Sequence, residues 1–427
     1  MILLYDILLH ITLVLTAPYF VFKMLTVHKY RDGLLERFGL YKAGTLAPVA
    51  GGRAVWFHAI SVGETKAALP VLRLFKKTHP DVRVVFSTVT QTGRRVAEQE
   101  ARGLIDALIY FPLDLSWVVK AVIRKVRPTA FITVEKDIWP NAFLRLNAAG
   151  VPVFVVNGTM SERSTARFKR FGFFFKGVFR AVSAYCARTP EDRQRAVDAG
   201  VREDRAFSTG NIKFDISAPA VDKAASDALA ASLGIRPGDI VITAGSTHAG
   251  EEEIILRVFK ALLQNRPDLR LVIAPRHPER WGEVDSLIKK TGIYYGKRSS
   301  GTTGACVMLD TMGELMAVWS FTDIAFVGGS IVPGIGGHNL LEPAFFSRPV
   351  VYGARLTSYL GMAEMLEAAG GGIRAADEAG LAKAFETLLA DEEARLRMGE
   401  AARSVVEANR GAAARSVEII GRYMRGA

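Results

Sequence analysis

The sequence predicts two successive doubly wound α/β domains behind an N-terminal helix of membrane length, and three observations carry that prediction. Ile2 to Phe22 is a run of 21 mostly Leu, Ile, Val and Phe residues, about 31 Å long if helical, which matches the hydrocarbon core of a bilayer. From Ala54 onward short apolar strands alternate with helical stretches, the pattern of a parallel sheet wrapped by helices. A weakly hydrophobic stretch, S-A-P-A-V-D-K-A-A-S-D, ends this series before a second one begins. These readings place an anchor helix at residues 1–25, a first domain at 26–217 and a second at 218–427.

Length and composition agree. The chain has 427 residues, 49% hydrophobic and 23% charged, enough for two cores and too apolar for disorder. Lys and Arg exceed Asp and Glu by 55 to 43, a formal charge of +12, which points to an anionic partner: nucleic acid, nucleotide or a phospholipid surface. Cys186 and Cys306 stand far apart, so neither a disulfide framework nor a zinc site is indicated. Within the first apolar run, Asp6, His10 and Pro18 leave a shallower interfacial helix as the alternative to a spanning one. No basic residue precedes the run, which argues against a cleaved signal peptide. Lys23, Lys29, Arg31 and Arg37 follow it and predict a cytoplasmic body.

Ligands of doubly wound sheets sit beyond the carboxyl ends of the strands. In the first domain three polar clusters fall at such ends: Ser61 to Glu64, Ser87 to Gly93, and Glu135-Lys136-Asp137. Glu64 follows Gly63 at a strand-to-helix junction, where a carboxylate can serve as general base or simply cap the helix. Phe168 to Phe179 interleaves six phenylalanines with Lys169, Arg170 and Lys176, a mixture suited to anionic lipid or to a core-facing helix with a solvated edge.

The second domain carries its polar groups in the same places. Ser246, Thr247 and His248 follow one strand, Arg276 and His277 another, and Met312, Gly313 and Glu314 a third. The strand Ile324 to Val327 runs into Gly328, Gly329 and Ser330; Gly334, Gly336 and Gly337 follow, then His338, Asn339, Leu340, Leu341 and Glu342 at a helix opening. Glycine-loop amides and a helix start suit an anion, and the Arg276 fork suits phosphate. Together they read as a nucleotide-sugar pocket that includes Ser246, Thr247, Gly329, Ser330 and Gly337. No G-x-x-x-x-G-K-[ST] and no G-x-G-x-x-G after a strand occurs, which argues against ATP hydrolysis and dinucleotide redox chemistry. No Asp-x-Asp pair occurs, so neither a metal-bridged diphosphate nor a cofactor is expected.

The motifs H-A-I-S-V-G-E-T-K-A-A-L-P, V-E-K-D-I-W-P-N, N-G-T-M-S-E-R-S, G-N-I-K-F-D, A-G-S-T-H-A-G-E-E-E, A-P-R-H-P-E-R, D-T-M-G-E-L and V-G-G-S-I-V-P-G-I-G-G-H-N-L-L-E-P-A resemble the Kdo (3-deoxy-D-manno-octulosonic acid) transferases of lipopolysaccharide synthesis. The resemblance runs from near Gly33 to near Val351. It implies two domains of GT-B type facing a cleft, in a monomer held on the cytoplasmic face of the inner membrane by a single-pass anchor. It implies transfer of Kdo from CMP-Kdo to a lipid A precursor beside anionic lipids, with no nucleic-acid partner. Glu64 matches the catalytic base. Glu135 and Lys213 match transition-state stabilisers, and Pro275, Arg276, Met312, Gly313, Glu314, Asn339, Leu340, Leu341 and Glu342 match CMP-binding segments. Two departures stand out. Where the family commonly reads E-T-E before I-W-P-N, this chain reads Glu135-Lys136-Asp137, which shortens one carboxylate and adds a cation. The loop Val332 to Gly337 is a residue longer than the usual form, which would shift donor contacts. The alternatives are a GT-B transferase using a UDP-sugar and a non-catalytic, membrane-tethered binding protein.

Overall fold

The computed structural model describes residues 2–26, 31–215, 222–357 and 359–424. Lys29 and the expected boundary at 217/218 lie outside the described residues. The chain divides into two compact units, one of Met1–Asp215 with Arg410–Ala427, the other Ile216–Asn409.

In the first unit β1 (Ala54–Ala59), β2 (Arg83–Thr88), β3 (Ala107–Tyr110), β4 (Pro128–Val134), β5 (Val153–Gly158), β6 (Val182–Ala187) and β7 (Ala206–Ser208) form a parallel sheet in the order β3-β2-β1-β4-β5-β6-β7. Helices α1 (Ile2–Thr26) and α2 (Leu34–Arg37) precede it. The crossovers carry α3 (Val62–Thr78), α4 (Gln91–Glu100), α5 (Ser116–Val126), α6 (Pro140–Ala148), α7 (Glu162–Arg170), α8 (Gly172–Arg180) and α9 (Pro190–Ala199). Helices on both faces explain why the strands read as continuous apolar runs. Along β1, Ala54 and Trp56 enter one core layer, while Val55 and Phe57 enter the other.

The second unit repeats the plan. It begins with α10 (Lys223–Ser232) and continues through β8 (Ile240–Thr247), α11 (Glu251–Leu263), β9 (Leu269–Pro275), α12 (Trp281–Thr291), β10 (Tyr295–Lys297), β11 (Cys306–Met308) and α13 (Leu315–Val318). Then come β12 (Ile324–Val327), α14 (Leu341–Phe345), β13 (Val350–Gly353), α15 (Leu360–Ala368), β14 (Gly372–Ala375), α16 (Glu378–Ala390) and α17 (Glu392–Asn409). Its parallel sheet runs β10-β11-β9-β8-β12-β13-β14. In each sheet the order reverses at one point, between β1 and β4 and between β8 and β12, and such switch points open the crevice where ligands bind.

The last helix, α18 (Ala412–Met424), packs on the first unit, whereas the sequence reading assigned it to the second. Its apolar face, with Ala413, Val417 and Ile420, joins the layer formed by Ala67, Val71 and Phe75. The Asp215 carboxylate accepts the amides of Gly411 and Ala413 (2.5 and 2.6 Å), so the residue that ends the first pass also caps the returning helix.

Helix α1 is long and apolar enough to cross a membrane, yet its first half is fastened to the first unit. Asp6 accepts the Ser116 amide and hydroxyl (2.9 and 2.7 Å) and Asn141 Nδ2 (3.1 Å), so its carboxylate caps α5 from a distant part of the chain. Tyr5 Oη donates to Asp114 Oδ2 (3.1 Å), and the Tyr5 ring meets Phe174 at 5.2 Å. Leu9 and Leu13 pack on the core. Leu3, Leu4, Leu8 and Leu15 on the other face stay exposed.

The Phe-rich segment splits between its two readings. Phe179 is buried, and Phe168, Phe174 and Phe175 pack against the core; Phe171 and Phe173 point outward. Lys169 pairs with Asp198 at 3.3 Å.

Candidate active site

The first unit gathers carboxylates at its switch point. Glu64 sits in the first turn of α3, and both the Ile60 and Ser61 amides donate to its Oε2 (2.8 and 2.9 Å). The capping reading is therefore realised, and among the described residues no backbone amide engages Oε1. Burial raises its pKa, opposed by the Ser61 amide and reinforced by Glu135 nearby. That makes it a stronger base than an exposed glutamate.

Glu135 ends β4 with a left-handed backbone, φ 65°, and Asn157 at the end of β5 has φ 53°. Such non-glycine residues are held in place only by surrounding contacts. Here Asn157 Nδ2 donates to Glu135 Oε1 (3.3 Å), while Asn157 Oδ1 accepts the Ile212 amide (3.0 Å). The turn Ile212–Phe214 that follows carries Lys213 and packs against α3. Asn157 thus ties the Glu135 strand end to the Lys213 turn. Sequence reasoning quoted Asn157 within N-G-T-M but gave it no role; the signal was an asparagine before a glycine at a strand end.

Asp137 is the third carboxylate. It is buried, and desolvation together with Glu64 and Glu135 pushes its pKa up to about 8, so it is neutral at pH 7. His58, wholly buried on β1, is driven down to about 3 by burial and is neutral too. His58 Nδ1 lies 3.0 Å from Ser87 Oγ and 3.2 Å from Ser87 O, and its Nε2 is 3.9 Å from Asp137 Oδ2. Neither of those two facing atoms has a hydrogen-bond partner among the described residues.

In the second unit the head of the glycine loop is held by a carboxylate of the protein itself. The buried Glu251 carboxylate, in the first turn of α11, accepts the amides of Gly329 (2.6 Å), Ser330 (2.9 Å), Ile331 (2.9 Å) and His248 (3.1 Å). The amides of Gly329 and Ser330 are therefore already paired within the protein. Gly329 has φ 69°, and a Cβ there would lie 3.0 Å from the His338 ring. The knot presents His338, whose Nε2 lies 2.7 Å from His248 Nε2. Burial and the adjoining imidazoles and Arg276 lower the pKa of both rings, His338 to about 4.

The other expected donor residues divide between exposed and engaged. Arg276 ends up exposed just beyond β9, with its own amide on Thr247 O (3.0 Å). Thr247 Oγ1 donates to the buried Glu252, which also holds Arg280 (3.0 and 2.8 Å). Glu314 takes a bidentate clasp from Arg298, Nη2 on Oε1 (2.8 Å) and Nε on Oε2 (3.2 Å), which lowers its pKa, beside exposed Met312 and positive-φ Gly313. Leu340 and Leu341 are fully buried, so any part they take falls to their backbone. The helix opening is short: α14 has five residues, and Asn339 Oδ1 accepts the Leu341 amide (3.2 Å) while its Nδ2 donates to Glu342 (3.4 Å). Ser246, with φ 57°, turns the chain at the end of β8, and Gly337 donates its amide to Gly329 O (2.7 Å). Pro275 closes β9. Both cysteine thiols are buried and pushed up to about 12, which leaves them inert at neutral pH.

Two parallel seven-stranded sheets with functional groups at their switch points define the GT-B class of sugar-nucleotide folds. Solved structures with this arrangement include the UDP-GlcNAc 2-epimerase of Neisseria meningitidis, TM-score 0.61 and 15% identity over 86% of this chain and all of that one. A glycosyltransferase of Rickettsia africae matches at TM-score 0.60 and 13% identity, over 88% and 98% of the two chains. These likenesses establish the fold alone. The family described as 3-deoxy-D-manno-octulosonic-acid transferase (kdotransferase) matches residues 32–216. The chain is 34% identical over 403 residues to the 3-deoxy-D-manno-octulosonic acid transferase of Haemophilus influenzae, 93% of this chain and 92% of that protein. To its namesakes in Chlamydia pneumoniae and Bordetella pertussis it is 32% and 30% identical, over 86% and 90% of this chain and 84% and 90% of theirs. The chain belongs to the 3-deoxy-D-manno-octulosonic acid transferase family and is a glycosyltransferase.

Proposed function

We propose that the chain moves Kdo from CMP-Kdo to a lipid A precursor at a membrane surface. The observation that carries this reading is Glu64: a half-buried carboxylate at the β1/β4 switch point, its basicity raised and one oxygen fixed by two amides. Its Oε1 takes the proton of an acceptor hydroxyl as that oxygen bonds to the anomeric carbon of Kdo and the bond from that carbon to the CMP phosphate breaks. Glu135 and Lys213, tied through Asn157, stabilise the charge that develops on the sugar and the departing group. Arg276, with Asn339 and Glu342, holds CMP through the fork geometry a phosphate favours. Incubating purified protein with CMP-Kdo and a lipid A precursor and reading product masses tests the reading. Product with UDP-sugars instead, or no product, refutes it.

Membrane attachment through α1 belongs to the same proposal. The sequence expectation was a single-pass anchor, with an interfacial helix as its alternative, and the fastening of Tyr5, Asp6, Leu9 and Leu13 to the body favours the alternative. The remainder, residues 14–26, is about 20 Å long, short of the ~30 Å hydrocarbon core. By Glu36 the chain is on the body again, accepting the Tyr110 amide at 3.0 Å. A helix leaving and rejoining one body in this way enters a single leaflet. Basic Lys23 and Arg31 flank its end, which supports a body on the cytoplasmic side of the inner membrane.

A further inference from the structure

A cavity opens beyond the carboxyl ends of β4, β5 and β6, with Glu135, Lys136, Ser161, Ser164, Phe168 and Tyr185 in its wall. Two features of it are unexplained by the fold. Tyr185 is 1% exposed and lines the cavity, and its phenol oxygen has no hydrogen-bond partner among the described residues. A hydroxyl that lines a cavity without a protein partner is free to bond whatever enters it. The ring is seated by Gly158, where a Cβ would stand 2.5 Å from it. Lys136 is exposed at the rim and makes no ion pair among the described residues.

The hydroxyls are oriented as donors. The Ser161 hydroxyl donates to Ser164 Oγ (2.9 Å) and accepts the Ser164 amide (3.2 Å) as the cap of α7, which leaves the Ser164 proton to point elsewhere. Burial, with Asp192 beside it, raises the Tyr185 pKa, so that phenol also remains a donor. One cation, two hydroxyl donors and a nine-residue helix opening on Ser161 favour an anion. Glu135 in the same wall repels a bare anion but accepts from sugar hydroxyls. Phe168 offers an apolar face of the kind that sugar rings cover. The cavity therefore suits a sugar that carries both hydroxyls and a negative substituent.

We propose that this cavity seats an anionic substituent of the acceptor sugar, a phosphate or a carboxylate, with Lys136 as its charge partner and Tyr185 and Ser164 as hydrogen-bond donors. This rests on the transfer reading above and adds to it a determinant of acceptor choice. Three acceptors separate the sources: a phosphorylated precursor, the same precursor dephosphorylated, and one that already bears a carboxylated Kdo. The enzyme prefers one of the charged acceptors to the dephosphorylated one, and the preferred member identifies the anion. In Lys136→Thr the KM for that acceptor rises roughly tenfold, the scale of one charge-assisted hydrogen bond, and the preference collapses. Tyr185→Phe, which removes only the hydroxyl, shifts KM the same way with less effect on kcat. An unchanged preference in Lys136→Thr overturns the proposal. Calorimetry with a short-chain phosphorylated or Kdo-bearing acceptor analogue reads the cavity without turnover. Equal affinity of wild type and both variants for each analogue overturns it even if no Kdo is transferred, whereas absent transfer with weakened variant binding overturns only the transfer reading.

Discussion

The Glu251 carboxylate accepts the Gly329 amide at 2.6 Å, and with the same side chain it gathers Ser330, Ile331 and His248. A protein anion thus fills the nest that the glycine loop builds. Glu251→Ala would leave four amide donors without their acceptor, at roughly 1–3 kcal/mol for each that stays buried. Hydrogen exchange should show opening of the segment 328–338 in the variant, while amides of the first unit keep their protection. Wild-type protection at 328–338 would refute this account of the loop.

Replacing Glu64 with Gln keeps its shape and removes its basicity. We expect kcat to fall about 10²-fold or more with CMP affinity little changed. The acid limb of kcat/KM in the wild type should lie above the ordinary glutamate range, since burial raises the Glu64 pKa, and it should disappear from the residual activity of the variant. Near-normal turnover of Glu64→Gln would sink the assignment.

Asp137 gives a pH dependence with a definite sign. Its folded pKa of about 8 lies above the unfolded value of about 3.9, so between those values the folded state holds a proton that the unfolded chain has lost. Stability from this group therefore falls as pH rises from about 4 to 8, at up to ~1.4 kcal/mol per pH unit. Asp137→Asn, which cannot ionise, should show a flatter decline of Tm between pH 5 and pH 8. Parallel Tm profiles would show that Asp137 does not carry the extra proton.

Arg276 stands exposed beyond β9 with no side-chain partner of its own among the described residues. Arg276→Ala should weaken CMP binding by about 1.5–3 kcal/mol, the range for a hydrogen bond to a charged group. Calorimetry that finds equal affinity would remove it from the donor site.

For α1, the expectation is insertion without crossing. Single cysteines placed at Leu3 and at Lys23 should both be labelled by an impermeant thiol reagent from the side that holds the catalytic body, with native Cys186 and Cys306 buried and silent. Labelling of the two positions from opposite sides would mean that the helix spans. Disrupting the cap with Asp6→Ala should detach the first half, at about 1 kcal/mol of helix capping, and be seen as faster proteolysis near the N-terminus.

Much was legible in residue order, because local pattern and burial obey short-range rules. Continuous apolar strands such as Val84 to Phe86 announce a sheet covered on both faces, the repeated alternation announces two such sheets, and Glu64 after Gly63 announces a carboxylate at a strand end. The motifs extended this to a family, which the relatives bear out. What residue order could not decide was which polar atoms find each other. Glu251 and Gly329 are 78 positions apart, Asp6 and Ser116 are 110, and Asn157 and Ile212 are 55. Each pair forms only when the sheet has ordered its crossovers, since a hydrogen bond needs its partners within about 3 Å and no local pattern encodes that approach. So the sequence by itself determined the layers, the strand ends and the residue types that meet there. The tertiary structure alone decided that Glu251 gathers the amides of Gly329, Ser330 and Ile331, that Asp137 is buried beside His58, and that the apolar first helix lies with one side on the first unit.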